Sequence, residues 1–383
     1  MKKIGYYFFA WIYRICSLIC PLNPHKIVLW NGHNHGLNGN LLEIYQRMQQ
    51  MSTKYEFVIL SKRDIFFTES DGQKKFPQMF RALWRFFVIL PYHMATAQRV
   101  FLNDNFLPMG YMKTKRRNTQ FVQLWHGAGA FKRFGLSTEK DPAVYQMVKQ
   151  ANQRITHLFV TSPQIIPYYE EAFAIDRSRI HATGIPVTDL YFDQKRMEKR
   201  RERVYSRYPE FIGKKLLLYA PTFRKEDWEN QQLLEQFDVE KLHEILGEDW
   251  IILIKLHPKF PMEHIVQNDF CYNMTDYNDI SDLYLVADYM ITDYSSTVVE
   301  YVLLDKPVLF FAYDLERYDR GFYYDYEQNM PGAIAHNQQE LYAYLQEKDN
   351  YAQKRHDFVK FQYDNMLGGS SERILELLDR DLC

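Results

Sequence analysis

Short apolar runs alternate with longer amphipathic segments along most of the chain. The apolar runs have the length and composition of buried strands, and the segments between them carry apolar residues at helical spacing. Predicted strands cover residues 26–30, 56–60, 99–103, 120–125, 157–161 and 180–183, followed by 214–219, 250–256, 288–292 and 307–311. Strands that alternate with helices in this way indicate an α/β protein with parallel sheets.

The clearest βαβ unit spans residues 289–311, and its turn carries Asp293, Ser295 and Ser296 between strand and helix. Free backbone N–H groups and the helix dipole favour an anion at the start of a helix, so the turn predicts a phosphate contact. A plainer interpretation is that Ser295 or Ser296 only caps the helix.

Two other strands in the second half of the chain also end in groups that suit phosphate. One is followed by Pro221, Thr222 and Arg224, and the next by His257. The carboxyl ends of parallel strands lie along one edge of a sheet, so these groups and the turn at 293–296 can converge on one ligand. Together they indicate a phosphate-bearing ligand.

In the first half of the chain, the strand at 120–125 ends in His126 and Gly127, and Lys132 and Arg133 follow. Glycine lets a ligand approach the backbone closely. Reactive groups of α/β proteins lie at the carboxyl ends of parallel strands, which favours a functional His126 over a structural one. The loop lacks a G-x-G-x-x-G pattern, so dinucleotide binding is not indicated.

Composition excludes several classes of protein. A length of 383 residues fits two domains, and a formal net charge of -1 argues against nucleic-acid binding. The four cysteines follow no metal-ligand or disulfide pattern, which indicates a reducing compartment. The sequence has no Walker lysine and no H-E-x-x-H motif, and we expect no protein-bound metal and no other cofactor.

The first segment, residues 4–22, is apolar and aromatic but contains Arg14. An arginine near the middle of a membrane-spanning helix is costly, and no small-residue cleavage site follows. Two interpretations stay open, a helix in the membrane interface and an aromatic helix packed on the domain. The basic helix predicted at 194–207 is either a solvated face or a surface that attracts anionic lipid. An anionic membrane surface is therefore one expected partner.

With these residues identified, the chain resembles the CDP-glycerol glycerophosphotransferase family, which makes wall teichoic acid and related polymers. The matching segments run in the family's order and are QLWHGAGAFKRFG (123–135), TGIPVTD (183–189), LYAPTFR (218–224), IKLHP (254–258), ITDYSSTVVEYVLLDKPVLFFAYD (291–314) and RGFYYDY (320–326). The resemblance implies a GT-B fold, in which two Rossmann-like domains with parallel sheets face each other.

The resemblance also implies how the chain is divided into domains. We expect a membrane-associating helix at 1–22, an acceptor-side Rossmann-like domain at 23–195, a CDP-donor-binding Rossmann-like domain at 196–365 and a C-terminal helix at 366–383. It further implies a peripheral, monotopic enzyme at the cytoplasmic face of the cell membrane. The implied acceptor is an undecaprenyl-diphosphate-linked saccharide or its glycerol-phosphate primer.

Site residues follow from the resemblance motif by motif. His126 of WHG matches the general base, while Arg224 of PTFR and His257 of LHP match groups on the CDP diphosphate. The predicted catalytic residues are His126, His257 and Arg224; the donor-binding residues are Pro221, Thr222, Arg224, His257, Asp293, Ser295, Ser296 and, on the cytidine ribose, Glu300; the acceptor-side residues are Gly127, Lys132 and Arg133.

The implied chemistry is a phosphodiester transfer. The acceptor hydroxyl, deprotonated by His126, attacks the β-phosphorus of CDP-glycerol and CMP leaves. Fixed donors then hold the negative charge that grows on the leaving group.

Three alternatives stay open: CDP-ribitol as the donor, a GT-B glycosyltransferase of cell-envelope polysaccharide that uses a nucleotide sugar, and a non-catalytic membrane-bound scaffold. The sequence also leaves open the acceptor's length and the oligomeric state, a homo-oligomer included. Its length resembles the primases of the family more than the larger polymerases.

Overall fold

The structure is a computed structural model that describes residues 2–32, 35–66, 76–112, 119–257, 260 and 267–382. It divides into two compact units. The first contains residues 1–129, 133–189 and 363–383, and the second contains residues 130–132 and 190–362.

The first unit is built on a six-stranded sheet in which every pairing is parallel. The strands are β1 (Asn23–Asn31), β2 (Glu56–Ser61), β3 (Ala97–Leu102), β4 (Gln120–Gln123), β5 (His157–Val160) and β6 (Ile180–Ala182). Their order is β2-β1-β3-β4-β5-β6. The strands β2 and β3 therefore lie on opposite sides of β1. The strand order reverses between β1 and β3, which is the kind of switch point where α/β proteins bind ligands.

The helices of the first unit are α1 (Lys2–Ile19), α2 (Gly39–Met51), α3 (Lys62–Phe66), α4 (Phe76–Trp84), α5 (Leu90–Thr96), α6 (Pro142–Asn152), α7 (Ile166–Phe173) and the C-terminal helix (Ser370–Arg380). Most of them lie between its strands in the chain, while α1 precedes β1 and the C-terminal helix follows the second unit. Within the described ranges, none of the helices has both the length and the apolar character needed to cross a bilayer.

One predicted helix is divided in the structure. The mixed aromatic and basic composition of residues 74–98 predicts a single helical segment, of which residues 74 and 75 lie outside the described residues. In the structure, α4 passes into a π-helical turn at Arg85–Ile89 before α5. Pro91 has no backbone N–H to donate to the turn before it. The segment also ends earlier, because Ala97 already pairs with Asn23 of β1.

The second unit repeats the architecture. Its strands are β7 (Lys215–Tyr219), β8 (Trp250–Ile254), β9 (Cys271–Asn273), β10 (Tyr289–Thr292), β11 (Val308–Phe311) and β12 (Ala333–Ala335), in the parallel order β12-β11-β10-β7-β8-β9. Its helices are α8 (Gln194–Arg207), α9 (Asp227–Gln236), α10 (Val239–Leu246), α11 (Ile280–Val286), α12 (Thr297–Tyr301), α13 (Tyr326–Asn329), α14 (Gln338–Gln346) and α15 (Ala352–Tyr363). Here the switch point lies between β7 and β10.

Each sheet carries its own apolar core, as strands covered on both faces require. In the first unit, Ile27, Phe101 and Val122 of the sheet pack with Ile374 and Leu378 of the C-terminal helix. In the second unit, the core is centred on the strand residues Leu217, Ile252, Ile291 and Leu309.

The C-terminal helix is fixed to the first unit at its start. The Asp189 carboxylate accepts hydrogen bonds from the backbone N–H groups of Ser370 and Ser371, at 2.7 and 2.9 Å. It also accepts one from the Ser371 hydroxyl at 2.8 Å. An acidic group at a helix N-terminus stabilises the helix through its unpaired N–H groups.

The basic helix α8 uses part of its charge inside the second unit. Arg200 contacts Asp279 and Asp282 of the α11 region, at 2.5 and 3.1 Å, and Arg203 contacts the buried Asp282 at 2.6 Å. These two arginines therefore join α8 to α11.

Candidate active site

In the first unit, the end of β4 holds His126 through an unusual turn. Trp125 has a positive φ of 58°, a conformation that bulky residues rarely adopt. The Asn40 amide holds the turn by donating to the carbonyl oxygens of Leu124 and Trp125, at 3.2 and 3.1 Å. Phe173 packs edge-on against the Trp125 ring. His126, which follows this turn, is exposed.

The backbone of Asn103 sets the tautomer of His126. The Nδ1 atom of His126 lies 3.0 Å from the Asn103 carbonyl oxygen, which can only accept a hydrogen bond. Nδ1 is therefore the protonated nitrogen, and the neutral ring carries its lone pair on Nε2. The Asn103 side chain is fixed in turn, because it donates to Asn31 at 3.0 Å and accepts from the Gly32 N–H at 2.9 Å. An oriented imidazole of this kind is suited to act as a general base.

The other predicted residues of the first unit lie on the same loop. The hydroxyl of Tyr169 donates to the carbonyl oxygens of Gly127 and Gly129, at 3.3 and 3.1 Å. Arg133 is exposed and pairs with Glu171 at 3.2 Å. A side chain built on Gly127 would meet no described atom within 4 Å, so this stretch of backbone is open to a ligand.

In the second unit, the loops after β7 and β10 are joined at the switch point. The backbone N–H of Thr222 donates to the Asp293 carboxylate at 2.8 Å, and Arg224 Nη1 lies 2.7 Å from the other oxygen of the same group. The Thr292 hydroxyl donates to the Ala220 carbonyl oxygen at 2.7 Å. These contacts bring Pro221, Thr222, Arg224 and Asp293 together, as the strand-end argument predicts.

Arg224 is buried between two carboxylates. It donates from Nε and Nη2 to Asp314, at 2.8 and 3.0 Å, in addition to its contact with Asp293. Burial opposes the charge of the guanidinium, but the two carboxylates outweigh it and raise the pKa of Arg224 above its ordinary value. The Tyr294 ring lies 5.0 Å from the guanidinium, and its hydroxyl donates to Asp314 at 2.8 Å. Arg224 therefore joins the loops after β7, β10 and β11.

The serine turn lies at the start of α12, where the sequence places it. Ser296 is the N-cap residue but makes no side-chain capping bond, and the Ser295 hydroxyl accepts from the Thr297 N–H at 3.4 Å. Both serines are half-buried. Capping by the Ser296 side chain, the plainer interpretation, is therefore not seen, and Ser295 makes only a long contact.

Glu300 lies one turn further along α12. The Tyr191 hydroxyl donates to its carboxylate at 3.0 Å. Burial raises the pKa of Glu300 to about 7, although the bond from Tyr191 acts in the opposite direction.

His257 lies beyond the end of β8, exposed to solvent. Its ring lies 5.0 Å from that of Phe223, on the loop after β7. The preceding loop is fixed by Lys255, which donates to the carbonyl oxygens of Thr275 and Tyr277 at 2.6 Å each. Pro258, the last residue of the IKLHP segment, lies outside the described residues.

Lys132 is part of the second unit, although the sequence assigns it to the acceptor side with Gly127 and Arg133. Charges on Arg320, Asp293 and Arg224 act on its ammonium group. Burial and Arg320 together lower the pKa of Lys132 to about 8, with Asp293 acting to raise it.

Several contributors to the site carry no role in the sequence analysis. A cavity of about 380 Å³ lies between the loops after β7 and β11, and its lining includes Thr222, Arg224, Glu229, Asp314, Arg317 and Arg320. Asp314 lies three residues after the end of β11, so its position in the loop after a parallel strand was the available signal. Among the described residues, no group of three or more His, Cys, Asp or Glu side chains is arranged to hold a metal ion.

The two parallel sheets and the loops at their switch points define a GT-B-like α/β protein. The chain belongs to the CDP-glycerol:poly(glycerophosphate) glycerophosphotransferase family, whose profile matches residues 12–379.

Relatives include both ribitol-phosphate and glycerol-phosphate enzymes. The teichoic acid poly(ribitol-phosphate) polymerase of Bacillus spizizenii is 31% identical over 98% of this chain, which spans 59% of that protein's length. The teichoic acid ribitol-phosphate primase of the same organism is 30% identical, over 97% of this chain and 95% of the primase. The teichoic acid glycerol-phosphate primase of Bacillus subtilis is 30% identical, over 73% of each chain.

The fold has a counterpart among solved structures. A structure of the wall teichoic acid polymerase TagF is similar with a TM-score of 0.78 and 23% identity, covering 97% of this chain and 93% of the other. This similarity supports the GT-B-like fold.

Proposed function

We propose that the protein transfers glycerol phosphate from CDP-glycerol to a hydroxyl of an undecaprenyl-diphosphate-linked saccharide, or of its glycerol-phosphate primer, and releases CMP. The observation that carries the proposal is the junction at the second switch point, where Thr222 and Arg224 meet Asp293 beside the serine turn. A nucleotide diphosphate is the ligand that we assign to this place, because the junction fixes the loops at the carboxyl edge of a parallel sheet next to the start of a helix, where a phosphate is favoured.

In this mechanism, Nε2 of His126 accepts the proton of the acceptor hydroxyl. The hydroxyl oxygen then forms a bond to the β-phosphorus, which carries the glycerol. The bond from that phosphorus to the bridging oxygen breaks, and the bridging oxygen leaves on CMP with the electron pair. The contact of Nδ1 with Asn103 supports the assignment, because it keeps the basic nitrogen at Nε2.

The residues of the second unit hold the donor. We assign the diphosphate to His257, Ser295 and Ser296 within the framework that Arg224 holds together, and the cytidine ribose to Glu300. Donors that are already in place stabilise the growing charge on CMP without further reorganisation.

CDP-ribitol is the second candidate donor. The ribitol-phosphate primase of Bacillus spizizenii matches this chain over 95% of its own length, against 73% for the Bacillus subtilis glycerol-phosphate primase. The cavity beside Arg224 is lined by carboxylates and guanidinium groups, such as Glu229 and Arg317, which suit the hydroxyls and phosphate of either polyol.

We also propose a peripheral position at the cytoplasmic face of the membrane, where a lipid-linked acceptor lies. Phe9 and Tyr13 on one face of α1 are buried, whereas Tyr7 and Trp11 are exposed. Phe80 and Trp84 of α4 are exposed as well. Exposed aromatic side chains on amphipathic helices, together with basic residues, favour the bilayer interface.

The test is a transfer assay with defined substrates. The protein is incubated with CDP-glycerol or CDP-ribitol and a lipid-linked disaccharide that carries zero, one or several polyol phosphates. The masses of the products are then measured by mass spectrometry. Added glycerol phosphate supports the first proposal, and added ribitol phosphate supports the second. Transfer of a sugar from a nucleotide sugar, with no transfer from either CDP-polyol, would refute both.

A further inference from the structure

A short segment of the WHG loop, residues 130–132, is anchored within the second unit. Ala130 donates from its N–H to the Gln362 side chain at 3.0 Å, and its carbonyl oxygen accepts from the Tyr324 hydroxyl at 2.9 Å. The Tyr323 N–H donates to the Phe131 carbonyl oxygen at 3.1 Å. Backbone atoms of both Ala130 and Phe131 are therefore hydrogen-bonded to residues of the second unit.

Lys132 ends this anchored segment. It forms an isolated antiparallel bridge with Phe322 of the RGFYYDY segment. That segment is tied to the turn after β10, because the Tyr326 hydroxyl donates to the Asp293 carbonyl oxygen at 3.1 Å and the Phe322 ring lies 5.8 Å from that of Tyr294. The backbone of Lys132 is thus positioned beside the Asp293 turn.

The charges around Lys132 come from three loops. The charges of Arg224 on the loop after β7, of Asp293 on the loop after β10 and of Arg320 on the loop after β11 act on its ammonium group. Lys132 itself is half-buried. The charges that act on Lys132 are thus two cations and one carboxylate, so an anionic ligand group that contacted Lys132 would be stabilised.

Arg224 is poorly placed to be that ligand's main partner. Its Nε and Nη2 donate to Asp314, and its Nη1 contacts Asp293 and donates to the Thr222 carbonyl oxygen at 2.6 Å. Two carboxylates therefore already neutralise its charge. A lysine ammonium is a compact charge with three donors that rotate freely, so it can follow a phosphate oxygen.

We propose that Lys132 is the cation that contacts the diphosphate of the CDP-polyol donor, and that Arg224 is a positioning residue that holds the three loops in place. This assignment rests on the proposed function and moves Lys132 from the acceptor side to the donor side. Because the pKa of Lys132 is lowered to about 8 by burial and by Arg320, the contact weakens as the pH rises past that value.

The experiment measures the affinity for CDP and for cytidine by calorimetry, at pH 7 and above pH 9. Unaltered protein is compared with Lys132→Ala, with Lys132→Arg and with Lys241→Ala, a control at an exposed lysine that pairs with Glu244. At pH 7, Lys132→Ala is expected to weaken CDP binding by about tenfold to a hundredfold, the loss of one charge-assisted hydrogen bond, and to leave cytidine binding unchanged.

The pH series separates a direct contact from a structural role. Unaltered protein should lose CDP affinity above pH 9, whereas Lys132→Arg should retain it because arginine stays charged. Should Lys132→Ala lower the thermal unfolding midpoint, the pH series of the unaltered protein and of Lys132→Arg decides the question alone.

Unchanged CDP affinity in Lys132→Ala, with a raised KM for the acceptor, would return Lys132 to the acceptor side and overturn the proposal. Failure of the unaltered protein to bind CDP would instead overturn the proposed function, and this assignment with it.

Discussion

Arg224 and Asp314 lie 90 positions apart in the chain and form a bidentate ion pair, with Nε and Nη2 of the arginine at 2.8 and 3.0 Å from the two carboxylate oxygens. Asp293 contacts the remaining side of the guanidinium. Loops after three strands of the second unit are thereby held at the switch point by one side chain. The geometry that we assign to donor binding depends on this buried cluster.

Arg224→Ala is predicted to destabilise the protein strongly. The change leaves two buried carboxylates without their cation, and loss of one partner of a buried ion pair costs about 3–5 kcal/mol. Urea unfolding measures the free energy, with the Arg317→Ala change of an exposed arginine for comparison. A loss of less than about 1 kcal/mol, within the range of an exposed ion pair, would contradict the assigned role.

The ends of the predicted strands indicate which groups converge. They do not indicate which partners those groups have. The sequence places Thr222, Arg224, His257 and Asp293 after successive parallel strands, and the rule for such strands brings Thr222, Arg224 and Asp293 to one edge. It does not show that Arg224 is paired with Asp314, because a carboxylate partner at such separation depends on side-chain packing. The pairing changes the chemistry expected of Arg224.

Glu300 gives a pH dependence of stability. Burial raises its pKa from 4.5 to about 7 in the folded protein, so its contribution is fully present below about pH 4.5 and is lost as the pH rises through 7. Glu300→Gln removes this loss. From pH 4.5 to pH 8, the unaltered protein should therefore lose up to about 3 kcal/mol of unfolding free energy relative to the variant. A difference that stays constant with pH would contradict the prediction.

The same variant tests the ribose contact. If Glu300 binds the cytidine ribose, 2′-deoxy-CDP should bind the unaltered protein more weakly than CDP, and the two should bind Glu300→Gln equally. Calorimetry with both nucleotides provides the measurement. If the unaltered protein bound CDP and 2′-deoxy-CDP equally well, the assignment of Glu300 to the ribose would be wrong.

The alternation of apolar runs and helices predicts both sheets well, since parallel strands that are buried on two faces are nearly continuous apolar runs. It does not predict β9 and β12, which have three residues each. It also cannot assign Ala130–Lys132 to the second unit. That membership depends on backbone pairing with Phe322 and Tyr323, contacts for which local sequence carries no signal.

Membrane association through α1 is predicted to depend on its exposed aromatic side chains. Trp11 is 57% exposed, and Trp11→Glu replaces apolar surface by a charge that anionic lipid repels. Binding to vesicles that contain phosphatidylglycerol should weaken by about tenfold or more. Trp228→Glu is the matched control, because Trp228 is 55% exposed and lies in the second unit. Equal binding by the two variants would argue for a purely structural α1.

The most direct test of the account is His126→Ala, assayed for both CDP affinity and CMP release with the lipid-linked acceptor. His336→Ala, at an exposed histidine that pairs with Glu327, is the control. We predict that CDP affinity is unchanged, because the donor residues lie in the second unit, and that turnover falls by about a hundredfold to ten-thousandfold, the usual contribution of a general base. Turnover close to that of the unaltered protein would contradict the assignment of His126 and, with it, the central claim.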